Sequence, residues 1–251
     1  MELKSQQQFL SLEQELEKWR QSRFEEPISK RFQLLTEETW ARENLAVEEI
    51  WGASVHDPSW ANGTAPAILR QKNHILAVRW WLEQAGQKQA LTVADLLELH
   101  RLLWTGLTDS AGFFRKESIL ACGETPDEIE AGWIPSLVAN ALDWFATEGF
   151  RQIHCVEQTA LVLLRLLDLR PFSVGTDTTI RIFASHFLLQ AGYPPFLLSS
   201  AQVPQYMAAL NAAVQFDTQG IVDFIASSVG NSLAFCLGES SHLNPFPIIR
   251  S

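Results

Sequence analysis

Apolar positions recur with helical period along almost the whole chain. In residues 2–22, Phe9, Leu12, Leu16 and Trp19 fall 3, 4 and 3 apart on an otherwise polar, Gln-rich segment. That spacing predicts an amphipathic helix with one buried stripe, ended by Pro27. A second helix is predicted over 37–50, and the turn formers of HDPSWANGT predict a loop behind it. Thr64 is placed to cap a long helix, with Pro66 in its first turn and Gly86 behind its end. Its candidate core residues are Ile68, Ile75, Leu76, Trp80 and Leu82. The segment TVAD opens the next helix as a capping box in outline, running from Thr92 to about Trp104.

Residues 108–124, TDSAGFFRKESILACGE, break this rhythm. Glycines near both ends and the strand-like run SILAC predict a small hairpin or flap. TPDE restarts helix with Pro126 at its first position, to about Glu148, with an interruption at Pro135. Residues 154–169 are apolar nearly all round, which predicts the central helix. Helix is expected again over 177–191, closed by Gly192 with Pro194 and Pro195 behind it, and then near 202–214 and 218–237. The tail SSHLNPFPIIRS reads as extended. The fold class is therefore all-α with a small β-hairpin flap.

Charge narrows the partners. The formal net charge is −10, with 19 Lys and Arg against 29 Asp and Glu. Neither nucleic acid nor an anionic membrane is expected as a partner, because both need a cationic surface. The three cysteines, Cys122, Cys155 and Cys236, are scattered without a CxxC pair and read as buried thiols in a reducing compartment. No uncharged run approaches the ~20 residues of a membrane span, and the first residues lack a signal-peptide core. A cytoplasmic location is expected.

The chemistry concentrates in RPFSVGTDTTIR, residues 170–181, between two apolar helices. With LLQAGYPP behind it, this stretch resembles the H-P-F-x-D/E-G-N-G-R-x-x-R signature of the Fic (Fido) family. LTVADLLELHRLLWTGL resembles the helix that precedes the family's flap, GFFRKESILACG the flap itself, and FDTQGIVDF a late helix of the fold. The resemblance covers roughly 90–235. It implies N-terminal helices over 1–60, a Fic-like core over 61–240 and an extended tail over 241–251. It also implies that Phe113, Phe114, Arg115, Ile119 and Gly123 form the flap that docks a target segment.

Active members transfer AMP from ATP to a protein hydroxyl. The resemblance implies a His base, an acidic ligand for Mg²⁺, a Gly-Asn-Gly turn presenting backbone N–H groups to phosphate, and two arginines. Matched position by position, the His is Arg170, Pro171 and Phe172 are kept, and the acid is Val174. Gly175 is kept, the Asn is Thr176, the second Gly is Asp177, the first Arg is Thr178, and Arg181 remains. Arg170 is always protonated and is no base. The expectation is a degenerate Fic-fold protein without adenylyltransferase activity and with no ATP or Mg²⁺ requirement, acting as a binding or regulatory module, with a protein or peptide docked at the flap. A homo-oligomer is compatible with the nine tryptophans. The alternative is an active nucleotidyl- or phospho-transferase with altered, metal-independent chemistry and Asp177 as base.

Asp177 and Arg181, four apart, are expected to pair, worth ~0.3–0.5 kcal/mol as an ordinary helix pair. His100 reads as a packed residue, and His154 and His186 lie too far from the loop to act as bases. The family's inhibitory helix, S/T-x-x-x-E-G/N, pairs its Glu with the second motif Arg. LAVEEIWGASVH resembles it over 45–56, with Trp51 at the Glu position.

Overall fold

The computed structural model describes residues 2–52, 64–87, 90–117 and 129–239. Twelve α-helices follow one another among the described residues. They are α1 (Glu2–Ser22), α2 (Glu26–Gln33), α3 (Trp40–Gly52), α4 (Thr64–Gly86), α5 (Val93–Trp104), α6 (Ile134–Phe145), α7 (Glu148–Arg151), α8 (Cys155–Leu169), α9 (Thr176–Ala184), α10 (His186–Gln190), α11 (Val203–Val214) and α12 (Gln219–Leu237). A π-helical turn, Leu34–Thr39, joins α2 to α3 without a break.

The caps explain most of the boundaries. Thr92 and Asp95 form the expected capping box at the start of α5, the Thr92 hydroxyl accepting the Asp95 N–H while the Asp95 carboxylate accepts the Thr92 N–H. Pro135 sits in the first turn of α6, where its missing N–H costs nothing. It therefore starts a helix where an interruption was expected. Pro27 likewise lies in the first turn of α2, while α1 has already ended at Ser22. The helix expected over 177–191 is two, α9 and α10, divided at Ser185, whose hydroxyl donates to the Arg181 carbonyl.

Helix α8 is the axis of the molecule. It packs on α6, α9, α10 and α12 and buries Val156, Val162, Leu163, Leu166 and Leu169. Burial of such side chains is worth ~1.5–3 kcal/mol each. The N-terminal helices join the same core: α1 lies along α12, with Leu12, Leu16 and Trp19 buried as expected. By length and composition α12 could cross a membrane, yet its apolar face is spent against α1, α8 and α11.

The buried face of α4 differs from the one expected. Ile68 is 68% exposed and Leu76 44%, whereas Arg70, Asn73, His74, Ala77, Val78 and Trp81 are buried. Polar side chains occupy the inner face because partners wait there: the Asn73 amide donates to the carbonyls of Leu103 and Thr105 at 3.1 and 2.9 Å. A pattern of apolar residues alone places the core on the wrong arc of such a helix.

No strand occurs among the described residues. Of the hairpin expected over 108–124, residues 108–117 form turns without a strand, and the remainder, with Ile119 and Gly123, lies outside the described residues. So do Cys122 and the extended tail. The start of the helix expected at TPDE lies there too, and residues 129 and 130 are not helical.

Candidate functional site

The α8–α9 loop is held by side chains from four directions. Helix α8 ends on Arg170, a non-glycine residue in the left-handed region (φ 44, ψ 63). Pro171 behind it has no N–H with which to continue the helix. Arg115, buried within the segment expected to form a flap, fastens this corner. Its backbone N–H donates to the Pro171 carbonyl at 2.9 Å and its Nε to the Arg170 carbonyl at 2.7 Å. Its terminal nitrogens donate to the carbonyls of Glu117 and Ile129. Thr176 closes the turn, its hydroxyl donating to the Phe172 carbonyl and accepting the Phe172 N–H. Gly175 (φ 68) leads into α9 with the Trp104 indole packed so closely that a Cβ would lie 2.1 Å from it.

His100 is the second fastening. Its ring stacks on Phe172 with centroids 3.8 Å apart and planes 1° from parallel. Nδ1 accepts the Gly112 N–H at 2.9 Å, so the proton sits on Nε2, which donates to the Val174 carbonyl at 3.0 Å. One neutral imidazole thus ties α5, the turn at Gly112 and the loop together. Burial pushes its pKa down to about 4, with the Val174 bond pulling weakly the other way.

The unfolded chain takes up this proton below about 6.5, while the folded one resists until about 4. The folded state therefore loses stability as pH falls through that window, by ~2 kcal/mol at pH 5. Urea unfolding of wild type and His100→Gln at pH 7 and pH 5 checks this: the variant is expected to lose ~2 kcal/mol less between the two pH values. Equal losses would contradict the assignment of a neutral, buried imidazole.

The charged groups ahead of α9 are consumed among themselves. Arg181 is 2% exposed. Its Nε donates to Asp177 Oδ2 at 2.5 Å, one terminal nitrogen to Asn44 Oδ1 of α3 at 2.5 Å, and the other to the Thr178 hydroxyl at 3.3 Å. The other Asp177 oxygen accepts the Tyr206 hydroxyl of α11 at 3.1 Å. Burial pushes the Asp177 carboxyl up from the usual range, opposed by Arg181 and Tyr206. The expected i, i+4 pair is therefore present, but it is a buried cluster joining α3, α9 and α11.

A second buried cluster lies one turn along α3. Glu48 accepts Arg70 of α4 at 2.9 Å and stands 3.3 Å from His74 Nε2. Burial alone would raise the Glu48 carboxyl, but His74 and Arg70 outweigh it and hold it at about 2.

Part of this chain is similar to known proteins. Residues 90–188 match the Fic/DOC family. The chain carries a Fic/DOC domain. Protein adenylyltransferase Fic of Drosophila willistoni is 31% identical over 170 residues, 67% of this chain and 34% of that protein. Its counterpart in Drosophila grimshawi is equally similar, at 31% over 170 residues. The match thus spans about a third of the length of these curated relatives. Among solved structures, a Fic-domain signalling protein from Bacteroides thetaiotaomicron superposes with a TM-score of 0.78 at 17% identity, over 91% of this chain and 98% of that one. Fic-1 of C. elegans gives 0.77 at 16% identity, over 94% and 72%. These two likenesses show a common fold, all-α as expected.

Within the Fic domain, the nine motif positions form one loop and helix start, and they divide by burial. Pro171, Phe172, Thr178 and Arg181 are buried, Val174, Gly175, Thr176 and Asp177 are half-buried, and Arg170 is exposed. Of the flap residues, Phe113 is 62% exposed, Phe114 packs on Phe172, and Arg115 is the fastening described above. His154 caps α8 and stacks on Phe9, and His186 is buried beside Trp81.

Trp51 closes α3, its side chain outside the described residues. The α3 residue that reaches Arg181 is Asn44. Asn44-x-x-x-Glu48 has the S/T-x-x-x-E spacing three residues upstream of the register that selects Trp51. That spacing was the available signal for both residues. Glu48 nonetheless turns to Arg70 and His74, and Asn44 takes the arginine.

Proposed function

We propose that this adenylyltransferase-like Fic domain does not transfer adenylyl groups and works by binding a protein segment at the flap root. The observation that carries the reading is the engagement of Arg181, buried between Asp177, Asn44 and Thr178. A guanidinium so placed would have to give up a buried ion pair to meet a phosphate. A magnesium nucleotide does not fit the remaining residues either. Val174 has no side-chain oxygen for the metal, and its carbonyl already accepts His100. Asp177 adds negative charge where phosphate would approach, and Arg170 cannot act as a base. Asp177 is equally unsuited to that task, since both of its oxygens already accept donors.

What remains suited to binding is the flap root. A cleft of about 510 Å³ there is lined by Phe113, Phe114, Lys116, Glu117 and Ser173 among others, large enough for one or two side chains of an extended peptide. The test is incubation of the protein with α-labelled ATP, Mg²⁺ and lysate proteins. No label above background is expected on the chain or on any other protein. Label transferred by wild type and lost in Arg170→Ala would overturn the reading.

A further inference from the structure

A second cleft lies far from the motif loop, at the opposite end of α8, ~20 Å away along the helix axis. It measures about 480 Å³, within the ordinary range for a small-molecule site, and is framed by the ends of α6, α7, α8 and α10. Its apolar wall is Leu91, Leu142, Phe145 and Phe187, and its polar lining includes Arg151, Gln158 and Gln190. No carboxylate is among its lining residues, in a chain of net charge −10.

We propose that this cleft is a binding site for a small organic anion with an apolar tail, an aryl-alkyl or branched carboxylate. Two features point to that class, the apolar wall and Arg151 at its edge. Arg151 has no carboxylate within 4 Å among the described residues, so its guanidinium is available for a forked, charge-assisted bond. The Gln158 amide nitrogen is spent on the Phe150 carbonyl at 2.7 Å, which holds that side chain in place at the wall. Burial pushes the Cys155 thiol up to about 12, so it lines the site as an apolar, unreactive group. The site needs neither the motif loop nor a nucleotide, so it stands or falls apart from the function proposed above.

The probe is 4-phenylbutyrate, compared with its neutral amide by calorimetric titration of the full chain. The carboxylate is expected to bind at least about tenfold more tightly than the amide, the effect of one charge-assisted bond. Arg151→Gln should bring the carboxylate to the level of the amide and leave the amide unchanged. Ala146→Phe, at an exposed cleft-lining position that leaves the core intact, should abolish binding of both. Equal affinity for acid and amide, an unchanged carboxylate affinity in either variant, or no binding of the carboxylate at about 10 mM would each overturn the proposal.

Discussion

Replacing Arg181 with alanine is expected to destabilise the fold by ~3–5 kcal/mol, the usual consequence of removing one partner from a buried pair. The change leaves the Asp177 carboxylate with only the Tyr206 hydroxyl, and the Asn44 oxygen without its donor. For a domain of this size that corresponds to a fall in melting temperature of roughly 6–20 °C. Asp177→Asn in the same chain should recover part of the loss, because no buried charge then remains uncompensated. A solvent-facing arginine kept for catalysis would behave differently: its loss would cost under ~1 kcal/mol. Thermal melts of the wild type, the two single variants and the double variant decide between these outcomes.

The second large effect is expected at Gly175. Alanine there meets two obstacles at once. The backbone is in the left-handed region, which costs a residue with a Cβ ~1–2 kcal/mol. The added carbon would also lie 2.1 Å from the Trp104 indole, which is itself buried. Moving a packed indole aside costs a further ~1–3 kcal/mol, for a total of ~2–5 kcal/mol. Trp104→Ala in the same chain should remove the clash and leave the backbone strain together with the loss of the indole's own packing. The glycine is therefore explained by packing and φ alone, with no phosphate required. A Gly175→Ala chain as stable as wild type in urea would contradict that.

Much of this was legible in the sequence because caps and turns are local. Thr92 with Asp95, Thr64 with Pro66, and Arg170 with Pro171 announce helix ends within a few residues of themselves. The loop at 170–181 was visible for the same reason, and so was the Asp177–Arg181 pair, four residues apart. What escaped notice depends on residues distant in the chain. Asn44 lies 137 positions from Arg181, and Tyr206 lies 29 from Asp177. No spacing along a single helix links them, so a buried cluster looked like an ordinary helix pair. The inner face of α4 was missed for a related reason. Arg70, Asn73 and His74 are polar, and only the presence of Glu48 and the α5 carbonyls makes burying them favourable. His100 was read correctly as packed, but its two ring nitrogens, bonded to Gly112 and Val174, give it a more specific task than filling space.

These clusters also describe how the N-terminal helices belong to the Fic core. Through Asn44 and Glu48, α3 is anchored to α9 and α4 by charged groups out of contact with water. The helix that resembles an inhibitory element is thus built in as a structural wall. Its arginine partner does the same work from the other side. Asn44 and Arg181 thus meet in one buried joint.

The central claim is that the groups ahead of α9 satisfy each other and leave nothing for a nucleotide's phosphates. Calorimetric titration of the intact protein with ATP, with and without Mg²⁺, tests it most directly. The account predicts no saturable heat up to about 1 mM ATP under either condition. Saturable binding that requires Mg²⁺ and weakens on Arg181→Lys, in a chain that remains folded, would contradict it.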